Sequence, residues 1–271
     1  MIDLHCHLLP GIDDGAPDVA TALAMARMAL ADGIRHLACT PHIVPGVYNN
    51  SGPDIAARVT AMAERLETEG LALTLWPGAD VHVDPGLVGQ LQSGAVPTLG
   101  GSRYFLLEPP HNVAPPRLPE LVQELIKAGF VPIITHPERL TWIESQYELI
   151  LRLVRSGALI QLTAGSITGG FGKRPQYWSE RMLDEGIVDI IASDAHNTSG
   201  RPPILSVARA AAARRLGEAE AIELVYNRPA RVLRNEPMPV RAKAISPQLH
   251  ATSRRGRGLA RGFFDKLRGR P

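Results

Sequence analysis

The sequence has few cysteines, few aromatic residues and no long apolar run. Its two cysteines, Cys6 and Cys39, are too few for a disulfide framework and fit a reducing compartment. No apolar segment approaches the roughly 20 uninterrupted residues that a membrane helix requires. Asp3 and the nearby histidines interrupt the only early apolar run, so we expect no signal peptide and a cytoplasmic protein.

The scarcity of aromatic residues, 5% of the chain, bears on the class of partner. Clefts that bind nucleic acid combine basic side chains with aromatic rings on which bases stack. Residues 1–237 instead carry 20 basic and 26 acidic residues, a net charge of −6, whereas residues 238–271 carry nine basic and one acidic residue, a net charge of +8. The acidic body argues against a nucleic-acid partner, and the basic end is a separate feature.

We expect a single domain over residues 1–236 and a basic tail over residues 237–271. Residues 247–258 are polar and basic without periodicity, a composition typical of disorder. Beyond them, one helical face would carry Leu259, Phe263, Phe264 and Leu267. This pattern predicts a short amphipathic helix that contacts a membrane surface or a partner. The alternative is a solvated basic tail, because Gly262 weakens so short a helix.

The body alternates apolar runs with helix-forming segments. The predicted strands are residues 1–7, 34–40, 71–76, 104–107, 131–135, 158–163 and 187–192. The predicted helices are residues 16–32, 53–69, 118–128, 144–156 and 175–185. Strand and helix alternating in this way imply parallel strands joined by helical crossovers. The α/β pattern therefore predicts a barrel, or a wound sheet that resembles one.

Imidazole and carboxylate groups gather at the ends of the apolar runs. The first run ends in His5-x-His7 and is followed by Asp14 in a glycine turn, and five more groupings follow later runs. In α/β barrels the loops after the carboxyl ends of the strands form the active site. The candidate metal ligands are His5, His7, Asp14, His42, Asp80, Glu108, His136, Asp194 and His196.

Nine such groups are too many for one tetrahedral ion. Nitrogen and oxygen ligands without thiolate suit Mn²⁺, Fe²⁺ or Zn²⁺ in a multinuclear cluster. Such a cluster generates hydroxide near neutral pH and stabilises an in-line displacement at phosphorus. Each candidate also has a structural interpretation; Asp194, for example, could cap a helix. The other histidines are interpreted as structural, with His82 and His111 close enough to the site to support it: His36, His82, His111 and His250.

The ordered motifs resemble those of the PHP (polymerase and histidinol phosphatase) superfamily. They are His5-x-His7, Asp13-Asp14-Gly15, Thr40-Pro41-His42, Gly78-Ala79-Asp80, Glu108, Thr135-His136-Pro137-Glu138-Arg139 and Ser193-Asp194-Ala195-His196-Asn197. Their spacing is most similar to the branch of bacterial manganese-dependent protein-tyrosine phosphatases linked to capsule and exopolysaccharide synthesis. The resemblance implies a distorted (β/α)7 TIM-like barrel with three ions, Mn²⁺ first, with Fe or Zn as alternatives.

The resemblance also implies how the ligands divide. One ion would be held by His5, His7 and Asp194, a second by Glu108 and His136 with Asp80 bridging, and a third by Asp14, His42 and His196. The family's residue at position 80 is usually glutamate. Aspartate is one methylene shorter, so we expect either a small backbone shift or a weaker second site.

Two arginines that hold phosphate in that branch would correspond to Arg139 and Arg201. A guanidinium suits a phosphate monoester because it donates two parallel hydrogen bonds. The resemblance implies that metal-bound hydroxide attacks phosphorus and that a tyrosine phenolate leaves, with His42 or His196 as a proton donor. The implied substrate is a phosphotyrosine protein, namely the tail of a bacterial tyrosine kinase that controls polysaccharide export.

Other activities compete with this interpretation. Cysteine-dependent tyrosine dephosphorylation is excluded, because the residue six positions after Cys6 is Ile12 and that after Cys39 is Pro45, so neither starts a Cys-x5-Arg loop. A small-molecule phosphatase acting on a substrate like histidinol phosphate, or a phosphodiesterase, would use the same scaffold. A scaffold protein with a structural metal cluster is the alternative without catalysis. No oligomeric state is predicted.

Overall fold

The computed structural model describes residues 1–239. The predictions for residues 247–258 and for the helix at 259–267 fall outside the described residues. The strands are β1 Ile2–Cys6, β2 His36–Cys39, β3 His42–Ile43, β4 Thr74–Pro77, β5 Asp80–His82, β6 Tyr104–Glu108, β7 Val131–Thr135, β8 Leu159–Thr163 and β9 Ile190–Ala192. The α-helices are α1 Val19–Ala31, α2 Gly52–Thr68, α3 Leu87–Ser93, α4 Leu118–Lys127, α5 Ile143–Arg155, α6 Ala164–Ile167, α7 Lys173–Glu185, α8 Ser206–Leu216, α9 Glu218–Ile222 and α10 Arg228–Leu233.

The nine strands form a seven-position parallel barrel. One sheet has the order β1-β2-β4 and the other the order β3-β5-β6-β7-β8-β9. Because β3 directly continues β2 and β5 directly continues β4, each pair occupies one position around the ring. The ring closes where Cys6 pairs with Ala195 in parallel. The α/β fold and the distorted (β/α)7 barrel are therefore confirmed.

Asp3 helps to close the ring between the first and last strands. Its buried carboxylate accepts a hydrogen bond from the backbone N–H of Ser193 at 3.0 Å and another from the hydroxyl of the same residue. The backbone adds Asp194 N–H to His5 O at 2.8 Å and His7 N–H to Ala195 O at 2.9 Å. These bonds hold the two ends of the barrel sequence together beside the candidate ligands.

Several element boundaries differ from the predictions for physical reasons. Helix α1 begins at Val19 rather than residue 16, because the Asp18 side chain caps it by accepting from Thr21 N–H at 2.7 Å. The predicted strand 34–40 is shortened to β2, and the unpredicted strand β3 follows it after Pro41, which has no N–H to donate to a ladder. The short strand β5 and helices α3, α6 and α8 to α10 were not predicted. Among the helices of residues 1–239, none combines the length and apolar content needed to cross a bilayer.

Two apolar clusters flank the strands. The larger lies between the barrel and the helices that surround it and includes Phe105, Leu107 and Ile134. The smaller, called here the inner cluster, takes alternate residues from the strands and is closed at one end by α10. Its members are Ile2, Leu4, Ala38, Leu99, Tyr104, Leu106, Ile133, Leu159, Ile190, Ala192, Ala230, Val232 and Leu233. Successive side chains of a strand point to opposite faces, so alternate residues of each strand pack into the two different clusters.

An irregularity in β1 redirects its side chains at the end of the strand. The pairing with β2 shifts between Asp3 and Cys6. Leu4, within the shifted segment, belongs to the inner cluster, whereas Cys6, two residues later, belongs to the larger cluster. Bulges of this kind re-aim side chains next to active sites. The consequence is that His5 and His7 both reach the mouth of the barrel, where the carboxyl ends of the strands meet.

Candidate metal centre

The nine predicted ligands lie together at the barrel mouth, and Asp80 is at their centre. Its Oδ2 atom is 3.4 Å from His5 Nε2, 3.5 Å from His42 Nδ1 and 3.9 Å from His136 Nε2. Asp80 is fully buried and Oδ2 has no hydrogen-bond partner among residues 1–239. A carboxylate oxygen facing three imidazole nitrogens without a proton donor is placed to bind cations.

The ligands implied for the first ion form a compact triangle. His5 Nε2 and His7 Nε2 are 3.2 Å apart, and they are 3.4 and 3.5 Å from Asp194 Oδ1. All three side chains are buried. Asp194 has a φ of 53°, in the left-handed region that non-glycine residues seldom adopt. Such strained residues cluster at functional sites, since the surrounding structure must hold them in place.

The ligands implied for the third ion lie at the outer edge of the mouth. Asp14 Oδ1 is 3.5 Å from His42 Nε2 and 3.3 Å from His196 Nε2. A turn carries Asp14 to this position, and Gly15 permits the turn: a Cβ on Gly15 would lie 2.3 Å from the carbonyl oxygen of His7. Only glycine fits so close an approach.

The ligands implied for the second ion have an additional neighbour. Glu108 Oε1 is 3.6 Å from His136 Nε2 and 3.5 Å from His111 Nε2. The sequence predicts only a structural or supporting role for His111. The structure brings it into the cluster, following the strand β6 that ends in Glu108.

The remaining histidines lie elsewhere. His36 accepts a hydrogen bond from the indole of Trp76 at 3.4 Å, apart from the mouth. His82 was not expected to end a strand, yet it is the last residue of β5, paired with Glu108. It belongs to none of the ligand groups found among residues 1–239. His250 is outside the described residues.

Two supporting residues, Asp13 and Gln161, were not assigned a role from the sequence. Asp13 Oδ2 accepts from His7 Nδ1 at 2.7 Å and from the backbone N–H of His42 at 3.1 Å. Gln161 Oε1 lies 2.9 Å from His5 Nδ1. Hydrogen bonds to the far ring nitrogen orient an imidazole so that its other nitrogen faces a metal. The supporting role of Asp13 could have been predicted, because Asp13 adjoins Asp14 in the Asp13-Asp14-Gly15 motif. Gln161 gave no such signal, because it lies in strand β8, 156 residues after His5.

Both predicted arginines point into the site and converge on one oxygen. Arg139 Nη1 and Arg201 Nη2 each donate to Asp194 Oδ2 at 2.6 Å. The ring of Phe171 lies against both guanidinium groups, with its centroid 4.6 Å from the Cζ of Arg139 and 5.9 Å from that of Arg201. Phe171 was missed in the sequence, because no strand precedes it. The arginines are therefore held between a carboxylate and an aromatic face.

Burial and neighbouring charges set the protonation of the ligands. Burial opposes ionisation of Asp194, but His5, His7 and Arg201 outweigh it and hold its pKa well below the usual range. Burial, with the Arg139 charge nearby, lowers the pKa of His136 well below its ordinary value and keeps its imidazole neutral. Metal ligands must be deprotonated, so these two groups need no proton loss to bind a cation at neutral pH.

The pKa of His7 is shifted in the opposite direction from that of His136. Burial disfavours its charged form, but hydrogen bonds to Asp13 and Asp194 prevail and raise its pKa to about 10. A cation that binds at Nε2 therefore displaces a proton, as is general for histidine ligands.

The side chains fit divalent metal ions. Five overlapping groups of histidine and carboxylate atoms each lie within 4.8 Å of one another. Several buried atoms that face these groups lack a hydrogen-bond partner within residues 1–239, namely His42 Nδ1, Asp80 Oδ2 and His196 Nε2. Buried polar atoms are normally satisfied, so unsatisfied atoms grouped at one place indicate an absent ligand. The mixed nitrogen and oxygen donors suit Mn²⁺, Fe²⁺ or Zn²⁺.

Fold and site together define an α/β barrel whose mouth is arranged to hold several divalent cations. The sequence matches the family described as capsular polysaccharide synthesis, CpsB/CapC, over residues 1–234. The chain belongs to this CpsB/CapC family.

Named relatives agree with this membership. The tyrosine-protein phosphatase YwqE of Bacillus subtilis is 36% identical over 201 residues, which is 74% of this chain and 79% of that protein. The putative tyrosine-protein phosphatase CapC of Staphylococcus aureus is 31% identical over 205 residues, covering 76% and 80%. Crystal structures of YwqE and of CpsB from Streptococcus pneumoniae are described as unique metal-dependent tyrosine phosphatases. A chain among them matches with a TM-score of 0.85 and 33% identity, covering 90% of this chain and 100% of that one.

Proposed function

We propose that the protein is a metal-dependent protein-tyrosine phosphatase, a phosphoric monoester hydrolase. The observation that carries the proposal is the convergence of nine ligand side chains at the barrel mouth beside two arginines that share Asp194. Metals and guanidinium groups side by side suit a substrate with several anionic oxygens. The tyrosine-protein phosphatases among the relatives support this choice of substrate.

The proposed ligand set is the one predicted from the sequence. Three ions are proposed: His5, His7 and Asp194 would hold the first, Glu108 and His136 the second, and Asp14, His42 and His196 the third, with Asp80 as a ligand that the first two would share. Mn²⁺ is the proposed metal, and Fe or Zn would fit the same donors. When bound, the cations supply a water molecule of lowered pKa and Lewis-acid stabilisation of the phosphoryl oxygens.

Arg139 and Arg201 bind and orient the phosphoryl group in this proposal. Each guanidinium has further N–H groups beyond the one donated to Asp194, and Nε of Arg201 is buried without a hydrogen-bond partner in the described part of the chain. The turn that carries Arg201 is fixed by His196 N–H to Arg201 O at 2.9 Å and by Arg201 N–H to Asn197 Oδ1 at 3.0 Å. The unused donors can therefore meet equatorial phosphoryl oxygens with little reorganisation.

The leaving group is a phenolate, which departs readily because its parent pKa is about 10. His42 and His196 were the predicted proton donors. His42 faces carboxylates through both ring nitrogens, and His196 Nδ1 lies 3.0 Å from the backbone oxygen of Asp194. These contacts favour ligand roles for both, and proton donation by either stays a prediction.

The proposed partner is a phosphotyrosine protein in the cytoplasm, the tail of a bacterial tyrosine kinase that controls exopolysaccharide or capsule synthesis. Membership of the capsular polysaccharide family supports this assignment. Residues 1–236 would form the phosphatase domain, and the basic residues 237–271 would contact the partner or a membrane surface.

One sample of the full chain tests the function. Metal content and hydrolysis of a phosphotyrosine peptide are measured before chelation, after chelation and after Mn²⁺ is added back. We expect hydrolysis to fall at least about 100-fold on chelation and to return with Mn²⁺. Hydrolysis of histidinol phosphate and of a phosphodiester chromogen is measured in parallel. Faster turnover of either compound would identify it, in place of phosphotyrosine, as the preferred substrate class. Hydrolysis that is indifferent to chelation would refute the proposal.

The matched control for the nucleophile is Cys6→Ser. Burial raises the pKa of the Cys6 thiol well above its ordinary value, so the thiol is not ionised at neutral pH and is a poor nucleophile. We expect the variant to keep most of its turnover. An inactive Cys6→Ser protein with its metals intact would point to cysteine chemistry instead.

A further inference from the structure

His111 lies beside the candidate metal centre, yet the sequence patterns gave it no ligand role. Its Nε2 atom approaches Glu108 Oε1, the same oxygen that faces His136. We propose that His111 is a direct nitrogen ligand of the ion held by Glu108 and His136. This inference rests on the proposed metal-dependent function.

The spacing of the three ligand atoms matches that of donors around one ion. Two ligand atoms that are each about 2.1 Å from a tetrahedral ion lie about 3.4 Å apart. The observed separations are 3.5 Å from Glu108 Oε1 to His111 Nε2 and 3.6 Å to His136 Nε2. The two imidazole rings, with centroids 5.2 Å apart and planes inclined at 43°, lie side by side. A histidine that merely supported Glu108 would not need its ring nitrogen grouped with that of His136.

His111 also supplies a donor that the other sites do not share. Asp80 Oδ2 lies nearer to His5 and His42 than to His136, at 3.4 and 3.5 Å against 3.9 Å. The second carboxylate oxygen of Glu108 faces His42 at 3.5 Å. Without His111, the ion at His136 therefore has few ligands of its own. With His111, it gains a nitrogen ligand that belongs to none of the other ligand groups in residues 1–239.

The loop that carries His111 is fixed in place. Thr141 donates to the carbonyl oxygen of His111 through its N–H at 3.0 Å and its hydroxyl at 2.9 Å. Trp142 donates through its indole N–H to the carbonyl oxygen of Pro110 at 2.9 Å. These bonds join the loop to the segment just after Arg139. The ring can thus be held ready for an ion, with 35% of its side-chain surface exposed.

The test compares His111→Gln with His111→Glu in the full chain, with His82→Gln as the matched control. Glutamine and glutamate reach about as far as the imidazole, but only glutamate is a strong ligand. His82 is a suitable control because it is paired with Glu108 in the sheet and belongs to none of the ligand groups in residues 1–239. Each protein is loaded with Co²⁺ or Mn²⁺, and bound metal is measured against a competing chelator. The Co²⁺ absorption spectrum reports ligand changes without any assay of activity.

We expect His111→Gln to bind its weakest ion at least about tenfold less tightly, with an altered Co²⁺ spectrum, and His111→Glu to recover part of that affinity. His82→Gln should match the unmodified protein. Unchanged metal affinity and spectrum in His111→Gln, with metals present in the unmodified protein, would overturn this inference and leave the proposed function standing. If the unmodified protein binds no divalent metal and hydrolyses phosphotyrosine regardless, both fall.

Discussion

The two halves of the barrel interior are built from the same strands but have opposite chemistry. The inner cluster is apolar and well packed, with Leu4 and Leu106 fully buried. At the mouth, the next residues along these strands are ionisable, with His5 after Leu4 and Glu108 two positions after Leu106. The apolar half supplies the free energy of burial. The polar half places carboxylates and unsatisfied buried atoms together, which costs free energy that a bound cation would offset.

The comparison explains why strained backbone occurs at the mouth. His136 and Asp194 both have positive φ, at 33° and 53°. Each follows a strand that contributes residues to the inner cluster, Ile133 before His136 and Ala192 before Asp194. A rigid apolar base can hold such conformations against their cost of about 1–3 kcal/mol each. Stability in one half therefore permits preorganised ligands in the other.

The largest expected effect comes from the polar half. Asp194→Asn removes the charge that faces three histidines and two arginines while conserving side-chain shape. We expect phosphotyrosine hydrolysis to fall about 1,000-fold, the scale for loss of a preorganised charge at an active site. Initial rates in the presence of Mn²⁺ measure the loss of hydrolysis, and a circular dichroism spectrum checks that the variant is folded. Retained hydrolysis in a folded variant would remove Asp194 from the proposed mechanism.

A pair of substitutions on β6 tests the division directly. Leu106→Ala should lower the free energy of unfolding by about 2–5 kcal/mol through loss of buried apolar contact, with hydrolysis per folded molecule retained. Glu108→Gln should cost only about 1 kcal/mol and yet reduce hydrolysis about 100-fold or more. Urea unfolding gives the free energy of unfolding of each variant, and initial rates give its hydrolysis per folded molecule. Equal losses of stability would contradict the division between the halves.

A smaller effect is expected at the rim, where Phe171 contacts both arginines. Phe171→Leu removes the cation–π contacts, worth about 0.5–2 kcal/mol, and should weaken binding of phosphotyrosine peptide and inorganic phosphate between about twofold and 30-fold. Gly165 makes room for this ring, since a Cβ there would lie 2.7 Å from it. Tyr177→Leu, at an exposed aromatic nearby in sequence, is the control. Phosphate inhibition constants that agree for the two variants would exclude an orienting role for Phe171.

The outcome at individual residues shows how far sequence patterns extend. His5, His7 and Asp194 could be placed at strand ends because apolar runs precede them, and the structure brings them within 3.5 Å of one another. Asp80 was expected in a loop but begins the short strand β5, since the chain resumes pairing after Gly78 and Ala79. His111 carried no strand signal, because it lies in a loop whose position depends on Thr141.

The alternation of apolar runs and helical segments by itself determined a parallel α/β arrangement, either a barrel or a wound sheet, because short-range periodicity fixes which face of each element is buried. It also determined that the ionisable residues would meet at one end, since parallel strands all finish at the same rim. Only the tertiary structure decided which atoms meet: Asp3 with Ser193, Gln161 with His5, and both arginines with a single oxygen of Asp194. Such contacts join residues far apart in the chain, and a local pattern carries no information about the register that pairs them.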